Sequence, residues 1–164
     1  MLVHFSTDYV FDGSKKAPYV ETDPPNPLNA YGRTKLAGEQ AIRDSGAAHL
    51  IFRTSWVYAT HGRNFLLTIL RLATEREELK IVADQAGAPT CALDLAQGIT
   101  RSLAGMVAGD KTPFTIPAAS GTYHMTAAGQ TTLQTLHGTA VLAAPTVPFQ
   151  HSVSNHGVIL PGLV

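Results

Sequence analysis

The chain of 164 residues balances 12 Lys and Arg against 12 Asp and Glu, is 45% apolar and holds one cysteine, the profile of one globular domain and not of a collagen, a disulfide scaffold or a disordered chain. A zero balance without a local basic stretch gives no field to draw a phosphate backbone, so nucleic acid is not an expected partner. No apolar run approaches the ~18 residues of a membrane span, and neither a leader-like start nor a pair of cysteines is present, so the expected setting is the cytoplasm, away from membranes.

Residues 2–6 (Leu-Val-His-Phe-Ser) form a short apolar run that suits a buried strand. Residues 7–28 read as loop, with a turn signal at Asp12-Gly13 and with Pro24, Pro25 and Pro27 delaying any helix. A helix is then expected over residues 29–45, with Asn29 as N-cap and Gly46 as its stop. Residues 49–53 read as a strand. A second helix is expected over residues 64–78, with Phe65, Leu66, Ile69, Leu72 and Ala73 on one apolar stripe that must cover a sheet. A strand at residues 79–82, a loop to Pro89 and a helix over residues 92–107, opened near Thr90 or Cys91, complete the alternation. Residues 122–126 add a candidate last strand. Strands alternating with helices at this spacing predict an α/β fold on a parallel sheet with right-handed crossovers.

Charge is unevenly placed: every charged residue lies between Asp8 and Lys111, and residues 112–164 carry none. Past Thr132 the sequence also loses any helical or alternating period. Residues 1–132 are therefore expected to form the folded domain and residues 133–164 an uncharged irregular tail. A shifted reading frame and a naturally uncharged flexible segment both account for that tail.

The sharpest chemical feature is Tyr31-Gly32-Arg33-Thr34-Lys35. Tyr31 and Lys35 are four apart and share a helical face, and an ammonium beside a phenol favours the phenolate of a group whose ordinary pKa is about 10. By itself such a pair is more often an ordinary exposed couple, since the spacing recurs freely by chance. Upstream, Ser6-Thr7-Asp8-Tyr9 brings hydroxyl, carboxylate and phenol groups to a strand end, where parallel sheets bind ligands; Thr7 and Asp8 are also common turn formers. Trp56 is a candidate ligand wall or core residue. Asn64 is a candidate cap or contact, and Gln85 and Thr90 are loop, cap or substrate-side residues. The histidines show no metal-ligating spacing, so no metal site is expected from the residues.

Taken in order, the strand-end Thr7, the Tyr31-x-x-x-Lys35 helix, Glu21-x-Asp23-Pro24-Pro25-Asn26-Pro27, Gly38-Glu39-Gln40, Arg53-Thr54-Ser55-Trp56-Val57-Tyr58, Gly62-x-Asn64-Phe65 and Asp84-Gln85-x-Gly87-x-Pro89-Thr90 together resemble the dTDP-4-dehydrorhamnose reductases, extended short-chain dehydrogenases. The resemblance covers about residues 3–132. Ala59 departs from it, since the family usually has glycine there. It implies the C-terminal portion of an extended short-chain dehydrogenase fold, a partial Rossmann-like doubly wound parallel sheet. It also implies reduction of the C4 keto group of dTDP-4-dehydro-L-rhamnose by NADPH or NADH, on the way to cell-surface polysaccharide.

On this resemblance Tyr31 is the proton donor, Lys35 holds the nicotinamide ribose, Thr7 binds the reacting carbonyl, and Asp8 and Trp56 line the sugar-nucleotide site. Tyr31 and Lys35 are thus both catalytic and cofactor-binding, and Thr7 is both catalytic and substrate-binding. Magnesium enters as a family cofactor whose carboxylates do not all have counterparts here, and a homodimer is an assembly the family admits.

No G-x-G-x-x-G or G-x-x-G-x-x-G follows a strand, so the glycine-rich turn that cradles a pyrophosphate is not in this sequence. The expectation is that the first nucleotide-binding half of the fold is missing, that NADH and NADPH cannot be told apart, and that an apolar sheet edge at residues 2–6 is left open. Two further readings stand beside the reductase: a non-enzymatic binding subunit on the same fold, like the regulatory subunit of methionine adenosyltransferase, and an inert remnant.

Overall fold

A computed structural model describes residues 1–76, 86–107, 120–129 and 131–132. Strand β1 (Leu2–Thr7) runs into a single 3-10 turn (Asp8–Val10), and helix α1 (Ala30–Asp44) follows the long loop. Then come β2 (His49–Thr54), β3 (Val57–Tyr58) and α2 (Phe65–Glu75). The order continues with β4 (Ala86–Gly87), β5 (Thr90–Cys91), α3 (Ala92–Val107), β6 (Gly121–His124) and β7 (Thr131–Thr132).

The main sheet is parallel in the order β1-β2-β6, with Thr7 opposite Thr54 and Arg53 opposite His124. Side chains alternate across a strand, and β2 shows it plainly. Leu50 and Phe52 pack with Ile99 and Leu103 of α3, whereas Arg53, on the other face, bonds to Glu39 of α1. One helix covers each face, as a doubly wound sheet requires. Among the described residues β1 is an edge strand, and Leu2, Val3 and Phe5 remain 45%, 37% and 46% exposed, in line with the apolar edge expected from the sequence.

Local chemistry explains the boundaries. Asn29 caps α1, its carboxamide oxygen accepting from the Gly32 amide at 2.7 Å, and Gly46 follows the helix end. Asn64 caps α2 in the same way, accepting from the Leu67 amide at 3.0 Å. The loop after β1 is organised by Asp12, whose carboxylate accepts from the Ser14 amide and hydroxyl, the Tyr19 phenol and the Asn26 carboxamide. Tyr19 stacks on Phe11 with ring centroids 4.3 Å apart, and Val10, Phe11 and Tyr19 form a small core against Leu36.

Three expectations change. Helix α2 ends at Glu75, where Arg76 turns extended (φ −137°, ψ 139°) while its amide still donates to the Leu72 carbonyl. Its stripe is not uniformly inward either: Ile69 is buried, but Phe65 is 48% exposed at the helix start. The two-residue strands β3, β4, β5 and β7 were not expected, since two residues carry no periodicity; β3 pairs with β5 in parallel and β4 with β7 antiparallel. The strand expected at residues 79–82 and the tail 133–164 lie outside the described residues.

Candidate functional site

Parallel strands β1 and β2 deliver their carboxyl ends side by side, and the chain beyond each end turns into one cavity of about 550 Å³. Its floor is polar: Ser6, Thr7, Asp8 and Tyr9 from the end of β1, Thr54 and Ser55 from the end of β2. Tyr31 enters from the first turn of α1, and Trp56, Val57, Tyr58, Phe65, Leu66 and Pro89 make a largely apolar wall.

The approach of α1 depends on a missing side chain. A Cβ on Gly32 would sit 2.1 Å from the Tyr9 carbonyl oxygen, so only glycine lets the helix start press against the end of β1. That contact carries Tyr31 to the cavity, 55% exposed and edge-on to Tyr9 with ring centroids 5.8 Å apart. The Lys35 ammonium, one turn on, donates to the Phe5 carbonyl oxygen of β1. Lys35 is therefore beside the cavity and not in its lining.

Asp8 is buried at the cavity floor. Its Oδ1 accepts from the Thr7 hydroxyl at 3.0 Å, while Oδ2 has no partner among the described residues. Burial dominates its titration and pushes the carboxyl up to about 6, against the smaller pull of the Thr7 bond. The Thr54 hydroxyl, also buried and lining the cavity, is likewise without a partner. The Thr7 hydroxyl oxygen additionally accepts from the Tyr9 amide at 3.3 Å. Burial, followed by the charges at Asp8 and Tyr31, raises the Tyr9 phenol above its ordinary value.

Trp56 takes a left-handed backbone conformation (φ 45°). For a bulky side chain this is a genuine outlier and costs about 1–3 kcal/mol, which the surroundings must offset. They do so with a hydrogen bond from the Thr90 amide to the Trp56 carbonyl at 3.2 Å and with the β3–β5 pairing that starts one residue later.

Beneath the floor lies a buried ion pair. Arg53 donates to both oxygens of Glu39, at 2.9 and 2.7 Å, and Ser6 donates to Glu39 at 2.5 Å. Burial alone raises the Glu39 carboxyl, yet the bonds from Arg53 and Ser6 outweigh it and hold the group below the usual carboxylate range. Arg53 also lies over the Phe11 ring, 5.1 Å from its centroid. Next to it His124 is buried edge-on to Phe11, and burial, opposed by the Glu21 charge and aided by the Arg53 charge, lowers it to about 4.

Of the expected residues, Thr7, Asp8, Tyr31 and Trp56 share the cavity, and Lys35 stands one turn behind Tyr31. Asn64 acts as the cap and also donates to the Ala59 carbonyl at 2.8 Å. Thr90 bonds to the Ala88 carbonyl and accepts from the Ala127 amide, and Gln85 lies outside the described residues. Among the described residues no group of three or more His, Cys, Asp or Glu is placed to hold a metal ion, so magnesium gains no support there. Thr54 and Ser55 were legible in principle, since they end a parallel strand beside Thr7. Phe65 and Leu66 read as helix-stripe residues and Pro89 as a loop residue, and nothing in their spacing placed them on a cavity wall.

The family model described as the RmlD substrate binding domain matches residues 1–151. A dTDP-4-dehydrorhamnose reductase of Burkholderia thailandensis is 58% identical over 132 residues, which is 80% of this chain and 43% of that protein. The crystal structure of dTDP-4-dehydrorhamnose reductase from Bacillus anthracis in complex with NADP matches with a TM-score of 0.74 at 32% identity, over 94% of this chain and 57% of that one. One from Clostridium acetobutylicum matches with a TM-score of 0.74 at 33% identity, over 93% and 56%. The chain thus spans less than half the length of the curated relative.

Proposed function

The chain belongs to the RmlD substrate binding domain family, and from that premise we propose that its cavity serves the reduction of dTDP-4-dehydro-L-rhamnose to dTDP-L-rhamnose in the cytoplasm. The observation that carries this reading is that Thr7, Asp8, Tyr31 and Trp56 line one cavity at the carboxyl ends of two parallel strands.

The nicotinamide of NADPH or NADH, when bound, supplies hydride to C4 of the sugar. The residues present suit the ribose end of such a cofactor: the Tyr31 phenol is exposed at the cavity, and the Lys35 ammonium is one helical turn away, steadied on the Phe5 carbonyl. Tyr31 donates its proton to the C4 oxygen, and Lys35 places a positive charge beside the phenolate that remains. The Thr7 hydroxyl, which spends its proton on Asp8, turns that donor to the carbonyl oxygen when substrate enters. Asp8 offers Oδ2 to a sugar hydroxyl. Trp56 gives the ring an apolar face.

The test is turnover of dTDP-4-dehydro-L-rhamnose by the full chain with NADPH, read as loss of reduced nicotinamide absorbance, with calorimetric binding of dTDP-L-rhamnose in parallel. Tyr31→Phe is expected to lower turnover by about 10²- to 10⁴-fold, the usual worth of general acid catalysis, and to leave product binding nearly intact. Undiminished turnover in that variant would overturn the assignment of the acid.

A further inference from the structure

We propose that Gly87 is a positioning residue for the cavity: its missing side chain is the recess that seats the Trp56 indole and so sets the wall against which a sugar ring packs. A Cβ built on Gly87 would lie 2.4 Å from Trp56 Cε2, 2.7 Å from Cζ2 and 2.8 Å from Cδ2. All three atoms belong to the benzo ring, so the indole lies over the Gly87 Cα and not beside it. Gly87 is absent from the glycines with positive φ, so the position demands space and not an unusual backbone.

Neither partner is free to yield. The Trp56 backbone is held at φ 45° by the Thr90 amide, and Ser55 just before it donates to the Ala88 carbonyl at 3.1 Å. On the other side Gly87 pairs with Thr131 in the β4–β7 ladder. A rigid ring between two fixed backbones cannot absorb a methyl group by rotating a flexible end. Any side chain at residue 87 must therefore move the indole out of its recess, changing the wall that Trp56 and Pro89 present to the cavity. The effect on a sugar rests on the sugar-nucleotide reading given above; the seating of the indole does not.

Trp56 is the single tryptophan of the chain, so intrinsic fluorescence reports on this ring alone. In the full chain, Gly87→Ala is expected to shift Trp56 emission and raise its quenching by acrylamide. Binding of dTDP-L-rhamnose is expected to weaken about three- to tenfold, the range of one lost aromatic contact. Trp56→Phe, whose smaller ring leaves the recess empty, is expected to make Gly87→Ala silent for binding. Unchanged emission and quenching in Gly87→Ala would overturn the proposal, as would additive losses in the double variant. A fluorescence change with no dTDP-L-rhamnose binding by any form leaves the seating intact and sinks the sugar-nucleotide reading instead. Should Gly87→Ala lose its folded circular dichroism, Trp56→Phe is expected to restore it, and failure of that rescue also overturns the proposal.

Discussion

The two faces of the β1-β2-β6 sheet are held by different chemistry. Toward α3, Leu50 and Phe52 meet Ile99, Leu103 and Met125, and such contacts are strong but non-directional. Toward α1, Glu39 is fully buried and accepts from Arg53 and Ser6, with Arg43 adding a longer bond at 3.3 Å. Hydrogen bonds are satisfied in one geometry only. The apolar face therefore supplies burial, while the polar face fixes the rotation and register of α1. Tyr31 rides on α1, which is why the directional chemistry lies on that side.

Glu39→Ala cuts deepest into this contrast, since it strands the buried Arg53 charge. It is expected to lower unfolding free energy by about 3–5 kcal/mol in urea titrations, and Arg53→Met added to it should recover part of the loss. Leu50→Ala on the apolar face is expected to cost about 2–5 kcal/mol yet to leave binding at the Tyr31 cavity nearly unchanged, because nothing directional is lost.

The pH dependence sharpens the comparison further. Burial lifts Asp8 from 3.8 to about 6 and drops His124 from 6.5 to about 4. Between those values the folded protein holds a proton on Asp8 that the unfolded chain lacks, and lacks one on His124 that the unfolded chain holds. The Asp8 contribution is present at low pH and is lost as pH rises through about 6. The His124 contribution is present above 6.5 and is lost as pH falls toward about 4. The two slopes oppose, so Asp8→Asn is expected to expose a stability that rises with pH by about 1.4 kcal/mol per unit, and His124→Asn the reverse. The smallest effect is expected from Asn29→Ala, about 1 kcal/mol from a lost N-cap, read as a small fall in melting temperature.

The elements were legible where a local rule acts alone. Both caps, Asn29 and Asn64, follow from capping preference, and the span of α3 from helix propensity, although Thr90 and Cys91, expected near its cap, form strand β5 instead. The parallel sheet follows from the alternation of strands and helices. Illegible features depend on partners far along the chain. Nothing local marks Glu39 as buried until Arg53, 14 residues on, is placed opposite it. Phe65 reads as a core residue until the cavity is placed at its helix start. The recess at Gly87 has no sequence period at all. For the candidate site, Tyr31, Thr7, Asp8 and Trp56, which share the cavity, are singled out by the ordered motifs of a family, since each one alone has an ordinary structural explanation.

Gly32 and Lys35 fasten the start of α1 at two points about one turn apart, the first by close approach to the Tyr9 carbonyl in the turn after β1 and the second by a hydrogen bond to the Phe5 carbonyl of β1. Tyr31 and Thr7 are thereby held on one packed unit. On the proposed reading, the entropy of bringing a phenol and a hydroxyl to bear on a single oxygen is spent during folding, before any ligand arrives. An incoming carbonyl would then have only its own freedom left to lose.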